Sequence, residues 1–308
     1  MGFADKKIGC LSMRNFIILC VSAVIVVVLV VTLSVTLSTK DPEGVTPSLC
    51  GVGNHNCRGG WFYHSSYNDA EHNANYAKSK GWNFVFISMR TSIAAANIKA
   101  FHDKGISVHW MTLEGTQYVT DVDASKKKIT EILDFLRDNN LTVEGIHLDA
   151  EPHALDEWKN GDDNTQISII DKFLVVLEEV RKLVSNYSEN CLLSSAIAYW
   201  FPNRANSGRF PNTHGYDFVN SKRLHMVAPM IYSGTGETAE VVIKNAQGYL
   251  NDKVPTVVGM GVLEYPNENA LNENILLVFN EFQNDVNKSS YFYGVSIFAN
   301  TKYTDWTD

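Results

Sequence analysis

The sequence predicts an α/β protein: a (β/α)8 TIM barrel preceded by one N-terminal transmembrane helix. Three observations predict it. Eight short β-rich runs recur along the chain. Stretches with apolar residues at helical spacing separate most of them. Near the start, an apolar run continues without a single charge. Of the 308 residues, 45% are hydrophobic and 19% charged, which suits a globular core and argues against disorder. The net charge of −8 leaves no basic excess for a phosphate backbone, so nucleic acid is not an expected partner.

The apolar run, Phe16 to Leu37, is long enough at about 1.5 Å per residue to cross a hydrocarbon core of roughly 30 Å. Lys6, Lys7 and Arg14 precede it, while Asp41 and Glu43 follow Lys40. This bias keeps the N-terminus cytoplasmic and the rest of the chain outside or in a lumen, the topology of a single-pass type II membrane protein. A cleaved signal peptide is the alternative, but its apolar region is ordinarily about 7–15 residues. The expected partition is a cytoplasmic tail at 1–14, a membrane signal-anchor at 15–38, a Pro- and Gly-containing stalk at 39–58, and the barrel at 59–308. Cys50, Cys57 and Cys191 then lie where disulfides persist. Cys50 and Cys57 bracket a loop short enough to close as a disulfide, with a metal site shared with His55 as the lesser alternative. Cys191 is the odd one out, expected to be buried beside a strand. Sequons at Asn140, Asn186 and Asn287 fall in the same outer part, as a glycoprotein requires.

The strands are expected at 60–64, 83–89, 106–112, 143–149, 192–200, 225–232, 255–262 and 292–299. Helices are expected at 69–80, 91–104, 123–139, 165–186, 237–251 and 270–286. The third places Ile129, Ile132, Leu133 and Leu136 on one face, and the fourth does the same with Ile169, Ile170, Phe173, Leu177 and Val180. The connection 201–224 is rich in Asn, Gly and Pro and predicts only a short helix. An eighth helix is missing or reduced to one turn near Tyr303–Trp306. A doubly wound open sheet is the rival, but GWFYHSSYND after the first strand is no phosphate-binding glycine loop.

In this barrel, chemistry sits at the C-terminal ends of the strands. Strand four ends in HLDAEPH. Asp149 and Glu151 are two apart and share a face, so they cannot both ionise freely, and a retained proton suits a general acid. His147 shares that face, deeper in the barrel, within expected hydrogen-bond reach of Asp149. Strand six ends in Tyr232, whose hydroxyl can donate to a substrate oxygen. Glu264 follows strand seven, as a second catalytic carboxylate or a plain loop acid. The aromatics Trp61, Tyr63, Trp110, Trp158, Tyr199, Trp200, Tyr232 and Phe298 cluster near strand ends, where flat rings can floor a sugar, although for any single one of them core is the more ordinary place. His64, His109, His147 and His153 show no metal spacing, and neither a metal nor a cofactor is expected.

The segment Glu144-Gly145-Ile146-His147-Leu148-Asp149-Ala150-Glu151 resembles the strand-four signature D-x-x-D-x-D-x-E of glycoside hydrolase family 18, the chitinase family. Its last Asp and its Glu are present, while Glu144 and His147 occupy the first two Asp positions. Met230-Ile231-Tyr232 resembles that family's strand-six M-x-Y. The resemblance implies a chitinase-like barrel in which Glu151 protonates the glycosidic oxygen, and Asp149 and Tyr232 hold the substrate's N-acetyl group, whose own amide is the nucleophile. It also leads to an aromatic floor at the end of strand eight, a place that falls to Phe298. Ala150-Glu151-Pro152 is similar to the Asn-Glu-Pro of retaining barrel glycosidases, which implies Glu264 as nucleophile. An LDxEP strand four further resembles a poorly characterised glycosidase-like group.

Three readings follow. One is a membrane-anchored glycoside hydrolase acting on N-acetylhexosamine-containing glycans, catalysed by Glu151, Asp149 and Tyr232. Trp61, Tyr63, His147, Trp158, Tyr199, Glu264 and Phe298 would line its substrate. The second is a retaining glycosidase using Glu151 and Glu264. The third is a non-catalytic carbohydrate-binding surface receptor or adhesin.

Overall fold

A computed structural model describes residues 49–51, 55–63, 69–232 and 238–298. Eight parallel strands close into one barrel, in chain order from β1 through β8. They are β1 (Cys57–Phe62), β2 (Phe84–Ser88), β3 (Ser107–Thr112), β4 (Gly145–Leu148), β5 (Leu192–Ala198), β6 (Met226–Ile231), β7 (Thr256–Gly261) and β8 (Phe292–Phe298). Between them run α1 (Ala70–Ser79), α2 (Thr91–Asp103), α3 (Val122–Asp138), α4 (Asp156–Asn160), α5 (Asp163–Tyr187), α6 (Phe201–Asn206), α7 (Gly215–Phe218), α8 (Ala239–Asn251) and α9 (Glu268–Asn284). The expected connection at 201–224 thus holds two short helices. The membrane span expected at 15–38, and the turn expected near Tyr303–Trp306, lie outside the described residues. Among the described residues no helix is long and apolar enough to cross a membrane.

The helices form where the sequence places apolar faces and caps. Asp162 caps α5 by accepting from the Thr165 backbone N–H at 2.8 Å, a contact worth about 1 kcal/mol. Ile169, Ile170, Phe173, Leu177 and Val180 then turn inward and are buried against the barrel. Helix α9 reaches from β8 to β1 and α1. Phe279 and Phe282 pack on Phe292 of β8, the Arg58 guanidinium donates to Asn272, and Lys80 pairs with Glu268 at 2.6 Å. It therefore braces the seam where β8 meets β1.

The barrel begins earlier than residue 59, the boundary expected for it. Leu49 is fully buried within the barrel's interior cluster, and its carbonyl accepts from His109 Nε2 at 2.8 Å. Cys50 and Cys57 form a disulfide that ties this segment to the first residue of β1. The ring of His55 packs on Tyr293 at 4.5 Å. Leu49, Cys50 and His55 thus close the floor, the end where strands begin, and the residues expected to form the last part of a stalk belong to the fold. Cys191 is a buried free thiol just ahead of β5.

Inside, Trp61, Phe84, Phe86, Met111 and Met226 fill the barrel. Gly259 makes room for the indole of Trp61: a Cβ there would come within 3.0 Å of the ring. The interior is packed, and the opposite end, where the strands finish, is the barrel mouth.

A candidate active site at the barrel mouth

Strand β4 ends at Leu148, yet the ladder runs on. The Asp149 N–H donates to the Thr112 carbonyl at 2.9 Å, so Asp149 continues the inward alternation of Gly145 and His147. Glu151 keeps an extended backbone, after which Pro152 starts a short 3-10 turn over Pro152–Ala154. That turn folds His153 back until its Nε2 is 3.4 Å from Glu151 Oε2. Two carboxylates and an imidazole are thereby gathered by five consecutive residues.

Asp149 is only 9% exposed. Burial, and then the neighbouring charges of Glu151 and Glu114, push its carboxyl up to about 7, against the hydrogen bond from Tyr63. That bond, Tyr63 hydroxyl to Asp149 Oδ2, is 3.1 Å long. Burial also raises Glu151. His153 is lowered, first by burial and then by Lys159, so at neutral pH it meets Glu151 as a neutral ring. Among the described residues neither carboxylate has a Lys or Arg ion-pair partner. The pair therefore retains a proton where isolated carboxylates would have lost theirs.

Tyr232 follows β6 and stacks flat on Phe298, with ring centroids 4.5 Å apart and planes 10° off parallel. Tyr63 meets Phe298 edge-on at 5.8 Å, and Trp61 meets Tyr232 edge-on at 6.3 Å. The end of β8 thus contributes an aromatic wall to the mouth. Glu264, in the turn after β7, is half-buried. Its Cγ and the Cβ of Tyr232 both lie over the bare Cα of Gly261, which places Glu264 on the same side of the mouth as Tyr232.

Two expected substrate contacts lie below the site instead. Trp61 is 1% exposed and His147 is fully buried. Nor does His147 bond to Asp149, because both of its nitrogens are engaged elsewhere. The Trp61 indole N–H donates to Nε2 at 3.1 Å, and Nδ1 lies 2.9 Å from Ser194 Oγ. An indole can only donate, so Nε2 is unprotonated and the Nδ1–H donates to Ser194. Burial, and then His109, hold His147 well below its usual range and keep it neutral. Its ring also stacks on Phe86 at 3.7 Å. The two-residue period fixes which way a side chain points but not how deep it sits, and these two sit one layer too deep.

Glu144, at the first acidic position of the strand-four pattern, is remote from the mouth. Its Oε2 accepts from the Val108 N–H at 2.7 Å and lies 3.1 Å from His102 Nε2. It stitches the start of β4 to β3. Trp158 and Tyr199 line a cavity of about 340 Å³ beyond β4 and β5, together with Trp200 and Gln166. Trp200 meets His153 edge-on at 6.0 Å, so this cavity adjoins the acid pair. A second hollow of about 530 Å³, lined by Arg90, Glu114, Tyr118 and Lys128, lies beyond β2 and β3. In the sequence His153 stands out only for its lack of metal spacing and Trp200 only as one of the aromatics near strand ends, while Ser194 and Gln166 carry no signal of their own.

No family model matches the chain, and no curated protein matches it in sequence. Solved structures do share its fold. A glycoside hydrolase family 18 chitinase of Pseudoalteromonas aurantia aligns with a TM-score of 0.52 at 15% identity, over 80% of this chain and 97% of its own. An intracellular xylanase of Thermoanaerobacterium saccharolyticum gives 0.53 at 11% identity, over 87% and 93%. A xylanase and amylase inhibitor protein gives 0.50 at 12% identity, over 81% and 95%. At these identities the likeness reaches the barrel and no further, and the barrel hosts many activities.

Proposed function

We propose that the protein is a glycoside hydrolase acting on N-acetylhexosamine-containing glycans, with Glu151 as general acid. The observation that carries this reading is the buried carboxylate pair at the end of β4, which has no Lys or Arg partner among the described residues and whose carboxyls are both raised by burial. Glu151 is the more exposed member and donates to the glycosidic oxygen as that bond breaks. The substrate's amide oxygen closes on the anomeric carbon, forming a cyclic oxazolinium and releasing the leaving group as an alcohol. Asp149 faces the amide N–H and offsets the positive charge that develops there. Water then opens the ring, with Glu151 taking its proton, so configuration is retained. Tyr63 fixes Asp149 through one oxygen and leaves the other for the substrate. Tyr232, held flat by Phe298, donates to the amide oxygen.

His147 sets the limit of the resemblance to family 18. Its two nitrogens are occupied and it carries no charge, so Asp149 has no carboxylate beneath it. The acid pair acts alone. Glu264, on the same side of the mouth as Tyr232, favours a second reading, a retaining pair with Glu151 as acid and Glu264 as nucleophile. The charge bias around residues 16–37 and the Cys50–Cys57 disulfide support a type II membrane topology with the barrel outside the cytoplasm.

Hydrolysis of fluorogenic N-acetylglucosamine oligomers is the test. Glu151→Gln should lose about 10²–10⁴-fold in kcat with the fold unchanged. In the active protein, kcat/KM should fall as the pH rises through about 7, where the Asp149–Glu151 pair gives up the proton that Glu151 must donate. If Glu264→Gln abolishes turnover while Asp149→Asn leaves most of it, the second reading replaces the first. A folded protein inert on every glycan, yet binding them, is a lectin-like barrel.

A further inference from the structure

The cavity beyond β4 and β5 has a composition that the acid pair does not require. Trp158 and Trp200 form its apolar wall, with ring centroids 6.0 Å apart, and Tyr199 joins them. Gln166 lines it as well and is 9% exposed. The amide nitrogen of Gln166 donates to the Trp158 carbonyl at 2.8 Å, while its buried Oε1 has no hydrogen-bond partner among the described residues. A buried acceptor left without a donor costs about 1–3 kcal/mol, so this oxygen calls for a ligand that brings one. Sugar hydroxyls do.

The charge of the lining is equally specific. In a chain of net charge −8, its lining among the described residues carries two guanidinium groups, from Arg204 and Arg209, and no carboxylate. Arg209 is already held, by Asp163 at 2.8 Å and over the Phe210 ring at 5.1 Å. Arg204 has no ion-pair partner among the described residues. The hollow on the other flank mixes Arg90 and Lys128 with Glu114 and Glu131, so its charges cancel.

We propose that this cavity is a subsite for an anionic sugar unit, one that carries a carboxylate or a sulfate. The ring lies against Trp158 and Trp200, a hydroxyl donates to Gln166 Oε1, and the anionic group is met by Arg204. Through His153, which touches both Trp200 and Glu151, the subsite adjoins the scissile position. The preferred substrate is then a glycan that alternates N-acetylhexosamine with an acidic sugar, or one whose hexosamines are sulfated. This deepens the hydrolase reading and rests on it.

The test is binding to the full-length protein, followed by tryptophan fluorescence. The probes are a neutral N-acetylglucosamine tetramer, its O-sulfated counterpart, and a tetramer alternating N-acetylglucosamine with glucuronate. The wild type should prefer at least one anionic tetramer to the neutral one by about tenfold at low salt, the scale of one charge-assisted contact. Arg204→Gln should collapse that preference, and Arg204→Lys should restore part of it. Arg204 is exposed, so neither variant threatens the fold. Which anionic tetramer wins separates carboxylate from sulfate. Equal binding of all three, unmoved in Arg204→Gln, overturns the subsite alone. Failure of all three to bind, with no hydrolysis, overturns the hydrolase reading together with it.

Discussion

Asp149 shows what the site costs the fold. Its carboxyl ordinarily titrates near 3.8, and burial here carries it to about 7. The folded state therefore binds this proton more tightly than the unfolded one. Its contribution to stability is full below about 3.8 and is lost as pH rises to about 7. Asp149→Asn, which never ionises, should escape that loss. Thermal melts at pH 5 and pH 8 should show the variant gaining on the wild type at the higher pH, and an equal gap at both would remove the assigned cause. Asp149 and Glu151 were legible in the sequence as a pair because adjacency in the chain keeps them adjacent in space, and Tyr232 was legible because it stands at the end of a strand. Gln166 and Arg204 were not, since only the packing of α5 against the loops after β5 brings them to one cavity. Trp61 and His147 were legible as inward-facing residues, and their depth came only from the closed barrel.

At the level of elements, the strands were readable to within a few residues because hydrophobic runs bounded by turns dictate them. The seam was not. Pairing between β7 and β8 shifts register between Thr256 and Val257, so Tyr293 is an extra residue in β8. Gly294 follows with φ +143°, and a Cβ there would run into the backbone of Cys57 across the seam. The irregularity lets Tyr293 reach the floor cluster beside His55. Nothing in GVSIF announces it, since a glycine in a strand is compatible with several uses. Gly294→Ala should destabilise the protein by about 3 kcal/mol or prevent closure. A denaturant midpoint equal to that of the wild type would show that the seam tolerates a side chain.

Across the whole molecule, the three sequons share one end. Asn140 follows α3, Asn186 lies in the last turn of α5, and Asn287 follows α9, all exposed and all at the end where strands begin. Glycans there would leave the mouth uncovered. In the proposed extracytoplasmic setting, enzymatic deglycosylation should lower the apparent mass in up to three steps, and Asn→Gln at all three should leave catalysis at its wild-type rate. A loss of turnover without a loss of folding would place a glycan at the mouth after all. The floor also has a mechanical meaning. The chain enters beneath β1, whereas the proposed glycan site is at the opposite end of the strands. Tension between the two runs lengthwise along β1, which is hydrogen-bonded to β2 on one side and to β8 on the other. Such a load shears both ladders at once instead of peeling them bond by bond, and the Cys50–Cys57 link lets it bypass the loop between them. A barrel entered in this way can be pulled on by what it binds without being opened from its weakest edge.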